Sequence, residues 1–393
     1  MKKFNRLGLL SLSVLTLGLL VVGAKASENK ALVTFAYSRT TPSAYYKNID
    51  GSLKNNALLK QLQELNATKL VRRVGYDNMA SKYQETDPGE RSGEVTSFYS
   101  GNSARFSGNM NKEHVWPASR TVLGRDNDPL EDDIHMVRPT LKAENSSRGN
   151  SFFVEGMEDD KLGWDPAMPS FGDETYRGDS ARIIFYCVVA DPQLKLVDVN
   201  YEETYYHSMG KLSDLLKWNL KYPVTDRENI RNDAAEKLQG NRNPFIDHPE
   251  YACRIWGFYD KDTQIACGYD KISDFHLSYT TKTMSVGKTF RINYFIEPDV
   301  LLDMVEITWS SSDPSVVYTT STGLITTKSV GNAVITANIE KYGVTASCSF
   351  KVINSSSSNG CGGNIYTSSV VVSVISAVGI SLLLIRRGKK YER

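Results

Sequence analysis

The side chains that could perform chemistry fall in two short segments of the chain. In the first, Glu113 and His114 are adjacent at the end of a predicted short strand, and in the second Asn145 lies in a predicted polar helix. Mg²⁺ prefers oxygen ligands and keeps several waters, so one carboxylate and one amide oxygen are a sufficient protein contribution. A neutral imidazole beside such an ion can remove a proton from an attacking water. We therefore predict a magnesium-assisted phosphodiesterase in which Glu113 and Asn145 hold the metal and His114 is the general base.

The first segment can form one site only if its backbone bends. Successive side chains of a strand point to opposite faces, so Glu113 and His114 would diverge along a straight strand. Pro117 and the loop after it favour a bend at this point.

The second segment is expected to position a metal ligand and a cation together. Pro139 and Thr140 suit a helix start, and Gly149 suits its end. Asn145 and Arg148 are three residues apart and therefore lie on one helical face. Arg148 carries a planar, permanently charged guanidinium that could clamp a phosphate oxygen.

Other residues near these segments receive structural interpretations. Asp132 and Asp133 are interpreted as adjacent solvated acids of a loop, and His135 as a residue that packs beneath the site or orients it. Trp116 and Trp164 could stack on bases, but core packing is the default for both.

The surrounding sequence predicts mainly helices. Apolar residues recur at helical spacing over 53–65, 212–220 and 226–238, and Gly240 closes the last of these. A short strand is predicted over 95–99. The apolar run 182–190 fits a strand or a buried helix, and periodicity cannot separate the two.

These motifs resemble those of the endonuclease I family, a group of secreted and periplasmic bacterial nucleases that cut DNA and often RNA with little sequence preference. The resemblance extends over roughly residues 40–260, far beyond one short pattern. It is carried by the segments 111–117, 133–139, 145 and 148–150, with further matches at 45–51 and 242–250.

The resemblance implies a ββα-metal site and a role for each matching residue. It makes His114 the general base, Glu113 a magnesium ligand, and Asn145 the second ligand. The sequence itself is equally compatible with Mn²⁺ or Ca²⁺ in place of Mg²⁺. The family also uses an arginine near the leaving phosphate. For that role Arg120, Arg125 and Arg148 are all candidates.

A change of pattern near residue 275 marks a second domain. From 277 to 353 the chain alternates apolar and polar residues in short runs, which is typical of a small sandwich. The segments 309–316, 323–326 and 331–337 resemble a bacterial immunoglobulin-like domain of group 2. We therefore predict an α+β fold, with a ββα-metal nuclease domain over 27–270 and an all-β immunoglobulin-like domain over 277–353.

The two ends of the chain indicate export and anchoring. Residues 1–26 read as a signal peptide, with a basic start, an apolar stretch and a small-residue triplet ending at Ala26. A Ser/Gly-rich linker over 354–367 leads to an uncharged stretch over 368–385 that is long enough to cross a bilayer. The basic tail 386–393 should remain cytoplasmic. We expect a protein held at the extracellular face of the cell membrane.

Charge and cysteine content add two constraints. The formal net charge is +1, so any phosphate-binding surface must be a local patch. Five cysteines leave at least one thiol unpaired. Cys253 and Cys267 flank a short turn and make the most plausible disulfide, whereas Cys187 lies in an apolar run and is expected to be a buried free thiol.

These observations predict a cell-surface, metal-dependent endonuclease that takes DNA, RNA or both as substrate. We expect a monomer, and the sequence indicates no protein partner. The alternative is a non-enzymatic surface adhesin built on the immunoglobulin-like module, which would leave the Glu113, His114 and Asn145 grouping unexplained. A zinc peptidase would need an H-E-x-x-H helix and a serine hydrolase a G-x-S-x-G turn, and both motifs are missing from the sequence.

Overall fold

The computed structural model of the protein describes residues 44–156, 163–200 and 207–354. The predicted signal peptide, membrane helix and basic tail lie outside these ranges, as does the linker beyond its first residue, which includes the fifth cysteine, Cys361. Within them, no helix combines the length and the apolar character that a membrane crossing requires.

The first and larger part of the described chain is a mixed region, which we call the α+β region, from helix α1 to helix α9. Its helices are α1 (Asn55–Lys69), α2 (Tyr83–Thr86), α3 (Lys142–Arg148), α4 (Thr175–Ala190), α5 (Leu212–Lys221), α6 (Asp226–Gln239), α7 (Pro244–Asp247), α8 (Glu250–Trp256) and α9 (Lys261–Ala266). Its strands pair as three two-stranded sheets: β1 (Val95–Thr96) with β2 (Ser103–Ala104), β3 (Met110–His114) with β4 (Val137–Leu141), and β5 (Lys195–Leu196) with β6 (Ser208–Met209).

Helix α4 forms the centre of this region, and it settles the ambiguous apolar run. Every residue from Tyr176 to Val189 is buried, so the run 182–190 belongs to a buried helix and not to a strand. The buried guanidinium of Arg182 is paired. It donates from Nε and Nη2 to the two carboxylate oxygens of Glu228 at 2.5 and 2.9 Å. Such a bidentate pair is the geometry that a buried guanidinium needs.

Helix α6, which supplies Glu228, begins and ends where its sequence predicts. Thr225 and Glu228 form a capping box at its start, satisfying free backbone donors of the first turn. Gly240 adopts a left-handed conformation, with φ of 95°, directly after its last residue. The predicted helices over 53–65, 212–220 and 226–238 are thus all present, and no end is displaced by more than four residues.

The predicted helix start at Pro139 and Thr140 is wrong. Both residues lie in β4, where they pair with Lys112 and Asn111 of β3, and α3 begins only at Lys142. Proline is tolerated here because β4 belongs to a two-stranded sheet and has an open edge. The Pro139 carbonyl still accepts a hydrogen bond of 2.8 Å from the backbone N–H of Phe98.

The C-terminal part is an all-β domain with its own hydrophobic cluster. It contains a four-stranded sheet, in the order β11 (Thr308–Ser311), β14 (Gly331–Ile339), β15 (Val344–Ile353) and β8 (Thr281–Ser285), and a three-stranded sheet, in the order β12 (Val317–Thr319), β13 (Leu324–Thr327) and β9 (Thr289–Arg291). Strands β7 (Asp274–Leu277) and β10 (Tyr294–Glu297) form a further pair. The alternation of buried and exposed residues along β14 and β15 is the one that their sequence predicts.

The two parts are in contact, and a disulfide braces the end of the α+β region. Leu301 is fully buried within the hydrophobic cluster of the α+β region. Arg254 on α8 donates to both carboxylate oxygens of Asp299 at 2.9 and 2.8 Å. The disulfide between Cys253 and Cys267 joins α8 to the end of α9, as the sequence predicts, and the prediction that Cys187 is a buried free thiol is also confirmed.

Candidate active site

A cleft of about 290 Å³ opens where β3, the turn after it and α3 meet. The sequence-predicted residues Glu113, His114 and Asn145 all line it, together with Arg125. Glu113 and His114 both lie within β3, paired opposite Arg138 and Val137 of β4, and both residues line the cleft. The other lining residues are Tyr76, Asn111, Lys112, Pro117, Ala118, Gly149 and Asn150.

Glu113 is a buried carboxylate with one oxygen already engaged. The Tyr99 hydroxyl donates to its Oε1 at 2.7 Å, and Arg148 Nε lies 3.7 Å from the same oxygen. Burial raises the pKa of Glu113 to about 7, although Arg148 and the Tyr99 hydrogen bond oppose that shift, and the nearby Glu144 adds to it. Tyr99 holds this position with a backbone φ of 82°, a strained conformation for a residue other than glycine.

His114 is held as a neutral imidazole. Burial, followed by the positive charges of Arg125, Arg148 and Lys112, lowers its pKa to about 4. Its Nε2 is buried and lies 3.5 Å from Glu131 Oε2, a separation that leaves this nitrogen without a hydrogen bond in the part of the chain described. The remaining ring nitrogen, Nδ1, is therefore the one available to a water in the cleft. A neutral imidazole with one nitrogen directed into a cleft is competent as a general base.

Glu131, the acid beside His114, is itself held by a backbone hydrogen bond. Its Oε1 accepts a hydrogen bond of 2.9 Å from the backbone N–H of Asp126, while Oε2 faces His114. Burial raises the pKa of Glu131 above its usual value. Only the acidic run at 131–133 could have drawn attention to Glu131, because its contact with His114 is created by folding.

The donor set fits an oxygen-preferring divalent cation. Across residues 44–156, 163–200 and 207–354, nothing donates a hydrogen bond to Glu113 Oε2 or engages the Asn145 side-chain amide. In the same ranges no three or more His, Cys, Asp or Glu side chains are grouped so that they could hold a metal. One carboxylate and one amide oxygen are the two protein ligands that Mg²⁺ accepts alongside waters.

The three candidate arginines occupy different environments. Arg148 is buried; its Nη2 donates to the Val115 carbonyl at 2.6 Å and its Nη1 to the Gly149 carbonyl at 3.1 Å. Arg120 is also buried, with Nε donating to the Asn150 carbonyl at 3.2 Å.

Arg125 differs from both of these residues. It is exposed at the cleft, and within the described residues its guanidinium has no hydrogen-bond or ion-pair partner. Its charge nevertheless acts on the site, because after burial it makes the largest contribution to the lowered pKa of His114.

The structural interpretations of the neighbouring residues are partly right. Trp116 and Trp164 are fully buried, and His135 is buried with its ring 4.5 Å from that of Tyr186. The interpretation of Asp133 as a solvated loop residue is wrong. Its side chain is fully buried and accepts hydrogen bonds of 2.7 Å from both Tyr186 and Gln239, residues far along the chain.

Comparison with known proteins agrees with the motifs at this cleft. The family described as endonuclease I matches residues 53–250, and the bacterial Ig-like domain (group 2) matches residues 272–349. An extracellular ribonuclease of Bacillus amyloliquefaciens is 36% identical over 245 residues, which cover 55% of this chain and 80% of the relative. An extracellular ribonuclease of Bacillus subtilis (strain 168) is 40% identical over 166 residues, covering 38% of this chain and only 54% of the relative.

Among solved structures, an intimin mutant of EHEC O157:H7 has 15% sequence identity and a TM-score of 0.17, covering 20% of this chain and 46% of that chain. A TM-score this low supports no structural argument.

Proposed function

We propose that this chain, which belongs to the endonuclease I family, is an exported, divalent-metal-dependent endonuclease that hydrolyses RNA and DNA. The observation that carries the proposal is the convergence of Glu113, His114, Asn145 and Arg125 on one cleft, with His114 neutral. We propose Mg²⁺ as the cation, held by Glu113 and Asn145, with Mn²⁺ or Ca²⁺ as substitutes. Bound there, the ion would offset the negative charge of the scissile phosphate.

Each cleft residue then has a distinct task. Nδ1 of His114 removes a proton from the water that attacks phosphorus, because Nε2 is buried against Glu131. The exposed guanidinium of Arg125 is placed to donate to a phosphate oxygen as negative charge grows on it. Arg148, whose terminal nitrogens are used by two backbone carbonyls, serves instead as the buried counter-charge of Glu113. This placement favours Arg125 over Arg148 and Arg120 as the phosphate contact.

The substrate class follows from the relatives and from the local charge. Both relatives are named extracellular ribonucleases, which favours RNA. The net charge of +1 leaves phosphate attraction to the cations of the cleft, among them Arg125 and Lys112. Since none of the proposed contacts requires a base edge, we expect little sequence preference and cleavage of DNA as well as RNA.

Purified exported chain should be incubated with plasmid DNA and, separately, with a long single-stranded RNA. Each reaction is run with Mg²⁺, with Mn²⁺, with Ca²⁺ and with excess chelator. His114→Ala is the test variant, and His276→Ala, at an exposed position of β7 in the all-β domain, is the matched control. Loss of a general base is expected to lower the rate by about 10²- to 10⁴-fold.

The proposal requires cleavage with added cation, loss of cleavage with chelator, and full activity of the control variant. Intact substrate under every condition would instead support the surface adhesin. Cleavage that persists in chelator would contradict the metal dependence while leaving the nuclease activity in place.

We also propose that the chain is exported by residues 1–26 and anchored by residues 368–385, with its nuclease and immunoglobulin-like domains over 27–270 and 277–353. The charge pattern of the sequence and the word "extracellular" in the relatives' names support export. The test is fractionation of cells producing the full chain or a chain ending at residue 367. Recovery of both forms in the culture medium would contradict the anchor.

A further inference from the structure

We infer that Tyr76 is a positioning residue for the general base, and that its ring fixes the plane of the His114 imidazole. This inference rests on the proposed function of the same cleft. Tyr76 lies 38 residues before His114 along the chain, in a short 3-10 turn (Tyr76–Ser81) that no motif marks.

The two rings are stacked. Their centroids are 5.2 Å apart and their planes differ by 12°, so one face of the imidazole is covered by the phenol ring. Glu131 lies beside the buried Nε2 edge, at 3.5 Å. One face and one edge of the imidazole are thus defined by neighbours, and rotation about the ring's bond to Cβ would lose the stacked contact. Nδ1 is therefore the ring nitrogen that we assign to the cleft.

The position of Tyr76 is itself fixed by its backbone. Gly75 has a φ of 86°, in the region that favours glycine, and its N–H donates to the Asp132 carbonyl at 3.1 Å. The N–H of Tyr76 donates to Asp132 Oδ1 at 2.7 Å. Asp132 therefore holds both consecutive amides, and it is adjacent in sequence to Glu131, so one short segment sets both neighbours of the imidazole.

Lys112 completes the arrangement from β3. Its Nζ donates to the Tyr76 carbonyl at 2.6 Å and lies 3.9 Å from the centroid of the phenol ring. A cation this close to an aromatic ring is attracted by the π electrons. The ring of Tyr76 is accordingly engaged by residues of the same protein on β3, at positions 112 and 114, and its role is expected to lie in holding them.

Positioning differs from substrate binding in what it predicts for kinetics. A misplaced base lowers the rate of the bound complex, whereas loss of a stacking platform for a nucleobase weakens binding. The chain offers two informative changes at this position. Tyr76→Phe keeps the ring and removes the hydroxyl, while Tyr76→Leu removes the ring.

The kinetic experiment measures kcat and KM on a defined single-stranded RNA with Mg²⁺. Tyr318→Leu, which removes an exposed tyrosine from β12, is the matched control. We expect Tyr76→Leu to lose about 100-fold in kcat with KM little changed, and Tyr76→Phe to retain most of the parent rate. A rise in KM as the main effect of Tyr76→Leu would assign the ring to nucleobase stacking and overturn the inference. A main effect already present in Tyr76→Phe would assign the role to the hydroxyl and overturn it equally.

A second measurement decides the inference even in a protein without activity. The ring protons of His114 are observed by NMR, with assignment from the His114→Gln spectrum. In the parent and in Tyr76→Phe, the stacked aromatic ring should shift these signals upfield relative to Tyr76→Leu. Identical imidazole signals in all three proteins would refute the stacking, whereas an inactive parent with the expected shifts would refute only the proposed function.

Discussion

Two arginines of the site provide a test that separates charge used for folding from charge used for catalysis. Arg148 and Arg125 both lower the pKa of His114, so electrostatics at the base does not distinguish them. Their surroundings do. The Arg148 side chain is 1% exposed and contacts Glu113 and two carbonyls, whereas Arg125 is exposed and its guanidinium is unpaired within the described residues.

Substitution of the two arginines should therefore change the unfolding free energy and kcat by different amounts. Arg148→Met removes the cation beside the buried Glu113 carboxylate and leaves the Val115 carbonyl without its 2.6 Å donor. Breaking a buried pair from one side costs about 3–5 kcal/mol of unfolding free energy. Arg125→Gln changes an exposed residue, so the unfolding free energy should change by no more than about 0.5 kcal/mol. Loss of one donor to the transition state should instead lower kcat by about 10²- to 10³-fold.

Urea unfolding of each variant is monitored at pH 7 by circular dichroism and intrinsic fluorescence. RNA cleavage with Mg²⁺ is measured in parallel. The reasoning requires Arg125→Gln to be stable and slow, and Arg148→Met to be unstable. The contrary result is an Arg148→Met protein that is as stable as the parent but as slow as Arg125→Gln. That outcome would make Arg148 the phosphate contact and would contradict the role assigned to its backbone hydrogen bonds.

The buried histidine, the disulfide and the acid beside His114 each support a further prediction. Burial lowers the pKa of His135 from 6.5 to about 4, so the stability present above pH 6.5 is lost as the pH falls towards 4, by about 3 kcal/mol, and His135→Gln should flatten this part of the pH dependence in urea unfolding. Replacing both Cys253 and Cys267, which are 14 residues apart, with alanine should lower the unfolding free energy by about 3 kcal/mol, and reductant should then have no further effect on the melting temperature. Glu131→Gln keeps the hydrogen bond from Asp126 but removes the charge facing His114, so kcat should fall by about 10-fold or more at unchanged stability, and parent-like turnover would contradict an orienting role.

Local signals in the sequence were sufficient for the elements whose causes are local. Helix α6 has its capping box and its glycine terminator within one short stretch, and the sequence predicts both ends closely. The Cys253–Cys267 disulfide closes a turn between neighbouring helices and is also visible in the sequence. The cleft residues Glu113 and His114 are adjacent, and Asn145 lies on α3, directly after the strand that pairs with β3. Their proximity in the structure therefore depends only on a short segment of the chain.

Features that depend on distant partners were missed. Asp133 looks like one of two solvated acids, yet its partners Tyr186 and Gln239 are 53 and 106 residues away. Pro139 suits a helix start by its type, but pairing with β3 overrides that preference. The spacing of Asn145 and Arg148 places them on one helix face. It could not show that the Arg148 side chain is buried while Asn145 lines the cleft.

The chemistry of the cleft therefore does not reside in the strand–turn–helix segment alone. The Glu113 carboxylate, the proposed metal ligand, is held by Tyr99, which lies before β3. The His114 imidazole, the proposed base, stacks on Tyr76, which lies further still towards the N-terminus. A buried carboxylate is unfavourable in isolation because burial opposes its charge, whereas burial favours the neutral form of an imidazole. It persists here because Tyr99 and Arg148 hydrogen-bond or pair with the acid while the cations around His114 disfavour its protonation. A peptide spanning only 110–150 should accordingly lack the site, since it omits the two tyrosines that fix the acid and the base.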